Sequence, residues 1–336
     1  MNKGFLNKIV YSTGTWVTGL VLILLSFLVN LLSPGNSSAF SEIRPGMNFL
    51  LDWTDYNTWL VVLFQNHYFR IGIQALSLGG ITLLVQYIAT NHKIIRVRSF
   101  FPFFFICLFA AAFIPHIDSN GPFLACLFFC WSIYRLFYSF EKENATSAIF
   151  DASFLLSLSS LFLHGMVYLL PVLWLVMVIL QSFNIKTFLA SLIGFLSIFW
   201  IVAGVSFVIG DFQYLYVFWD DITSFQLLDF REISIAGDIF CVFQIMLTLI
   251  VSVYFLNSQH RDKLHTRNNI FSLLLLLVAL SVLCLFSGDS FTAFMFIFLS
   301  VESIILGYFF SLEDNLFTRT LFVLCFILSM LFYFMY

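Results

Sequence analysis

Long apolar stretches recur from one end of the chain to the other, and they constrain its fold more than any other feature. Each runs for about 16–24 residues, close to the length at which a helix crosses roughly 30 Å of hydrocarbon. We count about eleven of them (roughly 9–12), from Thr15–Leu32 to Thr320–Tyr336. Only 10% of the residues are charged, whereas soluble domains carry roughly a quarter. The sequence therefore predicts an all-α, polytopic transmembrane helical bundle, with residues 1–336 as one integral membrane domain.

One part of this count stays open. Residues 148–183 hold two apolar runs that join at His164 and Gly165. Each run is near the lower limit for a spanning helix, so the pair forms either two full spans or one re-entrant pair.

Basic residues indicate how the bundle is oriented, because cytoplasmic loops retain Lys and Arg during insertion. With the N-terminus inside, twelve of the fifteen Lys and Arg residues fall at cytoplasmic ends or loops. The three exceptions are Arg44, Arg70 and Arg231. This asymmetry predicts a cytoplasmic N-terminus and would be lost if a central span were miscounted.

Three connecting stretches stand out in this topology. Residues 33–67 and 210–238 are long and rich in acids, and both fall on the external side. Residues 258–269 form the largest cytoplasmic loop and are basic. Topology and anionic lipid headgroups explain that basicity without a nucleic-acid partner.

The first external loop contains the candidate catalytic residues. Asp52 and Asp55 are three residues apart, so a helix would place them on one face. They precede the apolar run Trp59–Phe64, which is too short to cross and is predicted to lie in the membrane interface. The two carboxylates can act as a general base toward an acceptor hydroxyl or hold a divalent cation against a phosphate. The alternative is that they only cap or solvate the loop.

Three histidines fall at external helix ends: His67, His116 and His164. Histidine donates hydrogen bonds to phosphate and exchanges protons near neutral pH. If their helices bundle together, the three side chains converge on one site. The alternative is that each is a polar anchor at the interface.

Two charged residues within spans are also candidates. Arg70 lies about one turn inside the second span on the side where basic residues are scarce, so it either snorkels or contacts a phosphate. Glu302 lies near the middle of a span that has no basic residue. A carboxyl group there is protonated, hydrogen-bonded to another helix or part of an ion path.

The succession of a first span, a long acidic external loop with an interfacial helix, and many short-looped spans resembles the C-type polytopic glycosyltransferases. This resemblance implies sugar transfer from a polyprenyl-phosphate carrier, with Asp52 or Asp55 as the catalytic base. It also implies that Arg70 or a nearby histidine contacts the lipid phosphate. The run Ala148–Ser153, with His164 and Pro171 beyond it, is similar to uncharacterised multi-pass inner-membrane proteins of Bacteroidota, which implies a bacterial inner-membrane location.

The sequence thus leads to three functional hypotheses. The first is an external-face glycosyltransferase whose partners are membrane lipids and a polyprenyl-phosphate sugar, with or without a divalent cation. The second is a lipid or solute transporter, for which Glu302 is the main support. The third is a non-enzymatic assembly partner of other membrane proteins.

Overall fold

The computed structural model describes most of the chain as helix. The described residues are 14–32, 67–92, 94–95, 99–114, 120–140, 145–209, 235–258, 263–286, 291–312 and 315–335, with isolated positions at 117, 142, 212, 216, 219, 220 and 223. Within them, eleven α-helices have defined bounds, and no β-strand occurs. They are α1 (Gly14–Leu32), α2 (His67–Asn91), α3 (Phe101–Phe113), α4 (Gly121–Phe137), α5 (Thr146–Phe162), α6 (Leu169–Ile179), α7 (Ile185–Ile209), α8 (Ile235–Ser258), α9 (Leu264–Phe286), α10 (Phe291–Leu312) and α11 (Leu316–Met335). A 3-10 helix, His164–Tyr168, links α5 to α6.

The eleven helices correspond one to one with the predicted apolar runs. Five of them, α2, α7, α8, α9 and α10, are long and apolar enough to cross a membrane. The others are shorter in their described parts; α3, for example, has 13 residues and a length of about 20 Å. The all-helical, membrane-compatible fold is therefore confirmed.

Local sequence signals set several helix ends. Proline occupies the first turn of α3 and of α4, where its missing N–H costs no helical hydrogen bond. Asn184 precedes α7, and its side-chain oxygen accepts a hydrogen bond from Thr187 N at 2.9 Å. Thr187 Oγ1 in turn accepts one from Asn184 N at 2.8 Å, so two of the unpaired N–H groups at the start of α7 are satisfied.

The core of the bundle is formed by α3 and α10. Every residue of α3 is buried, as is every residue of α10 from Ala293 to Phe310. The two helices approach so closely that a Cβ atom on Gly307 would lie 2.9 Å from Pro102 N. Around them α10 also packs against α2, α4, α8 and α9.

The periphery exposes apolar side chains. On α7, Trp200 is 76% exposed and Val208 is 83% exposed. Exposed apolar surface on this scale is a liability in water and is normal in contact with lipid. It identifies the outer surface of the bundle as lipid-facing.

Contacts between helix ends show that consecutive helices alternate in direction. At one face, which we call the basic face, the end of α2 meets the end of α4 and the start of α9: the His92 ring lies 5.4 Å from the Tyr134 ring and 6.4 Å from the His265 ring. At the opposite face the end of α3, the start of α8 and the end of α11 meet through Phe113, Phe240 and Phe332.

The α5 and α6 pair crosses the bundle between the same two faces as α4. Arg135, near the end of α4, pairs with Asp151 at the start of α5, whereas Ser159 near the end of α5 donates to Ala125 O near the start of α4, at 2.8 Å. After α6 the chain is back at the basic face, where Ser139 Oγ donates to Ser182 Oγ at 3.3 Å. Residues 148–183 thus run from the basic face to the opposite face and back.

Candidate functional site

Two of the predicted site residues lie at the opposite face. Arg70 is in the first turn of α2 and is half-buried, and His164 is the buried first residue of the 3-10 helix. Arg70 lies on α2 and His164 follows α5, and both of these helices pack against α4. Both residues therefore lie on the side from which the segment 33–66 leaves α1.

The other predicted residues of that face remain untested. Asp52, Asp55 and His116 lie outside the described residues, as does the predicted interfacial helix at 59–64. His67 is the first residue of α2, but its side chain is not among those described. Convergence of the three histidines, and the catalytic role of the two aspartates, therefore stay predictions.

Glu302 lies in the centre of α10 and is 1% exposed. Thr248 Oγ1, on α8, is 2.9 Å from Glu302 Oε1 and also 3.0 Å from Gln244 O. A hydroxyl has one proton, so Thr248 can donate fully to only one of these oxygens. Cys325 of α11 is fully buried and lies near the same carboxyl group.

Several polar atoms of this cluster lack a hydrogen-bond partner among the residues that the structure describes: Glu302 Oε2 and both Oε1 and Nε2 of Gln244. Gln244 is completely buried. Each unsatisfied buried polar group costs about 1–3 kcal/mol, and an ionised carboxylate at the centre of a span costs about 2.5–3.5 kcal/mol. The unsatisfied cluster therefore lowers the stability of the helix bundle.

Sequence reasoning singled out Glu302 but missed Gln244 and Thr248. The available signal was their spacing: they are four residues apart in an otherwise apolar run, so a helix places them on one face. Polar side chains at this spacing inside a span mark the face that packs against another helix.

A second polar group missed by sequence reasoning lies at the basic face. The rings of His92 and His265 are nearly parallel, with an interplanar angle of 17°. Burial, the nearby His265 and Lys142 lower the pKa of His92 from 6.5 to about 4, although a backbone hydrogen bond with Tyr134 acts in the opposite direction. His92 is therefore neutral at pH 7 and resists protonation in the folded protein.

The basic face also carries an ion pair in a shallow cavity. Arg135 donates to Asp151, and the cavity around them has a volume of about 270 Å³ and is lined by aromatic side chains that include Trp131 and Tyr134. Trp131 is 45% exposed, which places the cavity on the outer surface. The pair joins α4 to α5 and explains how Asp151 is accommodated within an apolar helix.

An all-helical core, a lipid-facing apolar surface and a buried intramembrane acid together define a multi-helix integral membrane protein. The chain belongs to a family of unknown function, DUF6427, which matches residues 57–336. The matched range includes Arg70, the three candidate histidines and Glu302, and it begins after Asp55. No curated protein and no solved structure matches the chain. The comparisons therefore support membership of an uncharacterised family and provide no match to a glycosyltransferase, a transporter or a bacterial group.

Proposed function

We propose that the protein is a glycosyltransferase of a bacterial inner membrane that moves a sugar from a polyprenyl-phosphate carrier to an acceptor. In this proposal the basic face is cytoplasmic, the N-terminus is inside, and the reaction takes place at the opposite, external face. The observation that carries it is the placement of the two longest connections, residues 33–66 and 210–234, which both leave from the opposite face. The connections at the basic face are all short.

The residues available at that face suit the chemistry. Asp52 or Asp55 accepts the proton of the acceptor hydroxyl, whose oxygen attacks the anomeric carbon of the sugar. The bond from that carbon to the carrier phosphate breaks, and the phosphate leaves with the electron pair. Arg70, near the start of α2, supplies positive charge where the phosphate departs. A divalent cation held by the two carboxylates is the alternative role of the pair.

The helix packing offers a route for the carrier tail. Among the described residues, α7 packs against α5, whereas α8 packs against α10 and α11. Residues 210–234 therefore join two helices that lie against different parts of the bundle. A polyprenyl tail in the membrane would approach along the apolar side chains that α7 exposes and reach the external face beside this connection.

The test is sugar transfer in proteoliposomes from a radiolabelled polyprenyl-phosphate hexose. Asp52→Asn, Asp55→Asn or the double variant is expected to abolish transfer without loss of folded protein. The matched control is Asp220→Asn, an exposed aspartate in the segment 210–234, which should transfer normally. Full activity in the double variant would exclude the proposed base.

A second readout does not depend on the identity of the sugar. Native mass spectrometry should detect polyprenyl phosphate bound to the wild-type protein, and Arg70→Gln should weaken this binding by about 10–100-fold. Arg70→Lys keeps the charge and should lose less. Equal binding by all three proteins would remove Arg70 from the phosphate site, and an assembly partner would show no specific binding at all.

Transport of a lipid or solute is the second candidate, and Glu302 favours it. Buried intramembrane acids commonly mark ion and proton paths. For a transporter, Glu302→Gln should abolish flux, whereas sugar transfer at the external face should tolerate it. Unchanged flux in this variant would remove the residue-level support for transport.

A further inference from the structure

The buried cluster of Gln244, Thr248 and Glu302 carries an inference that stands whether or not the protein transfers sugars. The cluster lies between α8 and α10, far along both helices from their ends. Among the described residues, Glu302 Oε2 and the side-chain amide of Gln244 have no hydrogen-bond partner, although both residues are fully buried. Buried polar groups without a partner call for an explanation, and a bound ion is one that satisfies both kinds of group.

The two helices that form the cluster carry no basic side chain. Neither α8 nor α10 contains Lys, Arg or His. On α11 the residue near Glu302 is Cys325, and the basic residue of that helix, Arg319, lies six positions earlier, about 9 Å along the axis. An ionised Glu302 would therefore need a positive charge that these three helices do not supply.

The donor atoms identify the kind of charge. The carboxylate of Glu302, the hydroxyl of Thr248 and the amide oxygen of Gln244 are all oxygen ligands, which suit hard cations. Only one of them is charged, so a divalent ion would leave a net positive charge in the membrane interior, whereas a monovalent ion balances the carboxylate.

We propose that Gln244, Thr248 and Glu302 form a binding site for one monovalent alkali-metal cation inside the helix bundle. When the cation enters, the carboxyl group of Glu302 releases its proton and the resulting carboxylate binds the ion, so the net charge of the site does not change. Thr248 then donates its proton to Gln244 O and presents an oxygen lone pair to the cation.

The probe is ²²Na⁺, measured by equilibrium binding to the purified full-length protein in detergent at pH 8. The wild-type protein should bind one ion per chain, with unlabelled K⁺ as the competitor that reports selectivity. Glu302→Gln has nearly the same shape as a protonated glutamate and is expected to fold, but its affinity should fall by about 10–100-fold. Gln244→Leu should also weaken binding.

The control is Gln74→Leu, which removes another buried glutamine amide, on α2, and should leave binding unchanged. A thermal assay provides an independent check, because an ion that binds only the folded state raises its unfolding temperature. Na⁺ should raise it for the wild type and for Gln74→Leu, but not for Glu302→Gln. Absence of ²²Na⁺ binding to the wild type would overturn the proposal and leave a protonated carboxyl group. Binding that survives Glu302→Gln would overturn it as well.

Discussion

The close contact between α5 and α7 predicts that a side chain at Gly194 destabilises the protein. A Cβ atom at this position would overlap Ser153 Oγ and lie 2.6 Å from Phe150 O. The second of these is a backbone atom, which a rotamer change cannot move away. Gly204, on the same helix, has no atom within 4 Å of the corresponding position. Alanine at the two sites therefore adds the same methyl group to one helix in two different surroundings.

The expected free energies follow from two opposing effects. Replacing glycine by alanine inside a helix stabilises it by roughly 0.5–1 kcal/mol. Forcing an extra methyl group into a filled contact costs about 1–3 kcal/mol. Gly204→Ala is stabilised by the helix effect alone, whereas Gly194→Ala has both the helix stabilisation and the steric cost. Because the helix effect cancels between the variants, their difference isolates the contact and should be about 1–3 kcal/mol in free energy of unfolding.

The assay is unfolding of both variants in mixed micelles titrated with SDS, followed by tryptophan fluorescence. Gly194→Ala should unfold at the lower SDS fraction and Gly204→Ala at or above the wild-type value. Equal midpoints for the two variants would refute the close approach of α7 to α5. A loss of stability in Gly204→Ala would refute the assignment of that surface to lipid.

Two further predictions concern the faces of the bundle. Because the pKa of His92 is lowered from 6.5 to about 4, the folded state binds fewer protons than the unfolded state between these pH values. The contribution of His92 to stability is therefore greatest above pH 6.5 and should fall by ~2 kcal/mol between pH 7 and pH 5. In detergent unfolding measured at the two pH values, His92→Phe should flatten this dependence, and an unchanged slope would contradict the prediction. All six native cysteines lie in helices and five are buried, so a single added cysteine reports which side of the membrane its position is on. A membrane-impermeant maleimide should label Ser38→Cys in intact cells and Gln259→Cys only after permeabilisation. The reverse labelling pattern would invert the proposed orientation.

The helical architecture could be predicted from sequence because it depends on a property summed over many residues. Each apolar run exceeds what a soluble helix needs, and the backbone polar groups within a membrane can be satisfied in only a few ways. Some boundaries were also close, since Pro102, Pro122 and the Asn184–Thr187 pair act locally, but α9 begins at Leu264, inside the predicted basic loop 258–269. The sequence indicated Glu302 for the same reason: a single acid in an apolar run is visible without any knowledge of its neighbours.

The partners of these residues could not be predicted, because they come from helices distant in the chain. Thr248 lies 54 residues before Glu302, and His92 lies far from His265, so only the packing of the bundle brings them together. Arg135 and Asp151 lie on consecutive helices and also form a pair. Their pairing depends on the register between the antiparallel helices α4 and α5, which the sequence pattern does not specify.

The contact between α3 and α10 has a consequence for how this protein is made. The two helices form the centre of the bundle, yet about three-fifths of the chain separates Pro102 from Gly307. During synthesis α3 emerges early, and six further helices, α4 to α9, are produced before its partner leaves the ribosome. Contacts between such distant segments form slowly.

Until α10 arrives, α3 has no permanent neighbour on the side where Phe101 and Phe105 later meet Phe310. That side of α3 is therefore not covered by α10 until late in synthesis. The core is complete only after α10, which carries the acid Glu302, and then α11, whose Phe322 also contacts Phe101 and Phe105, have been added.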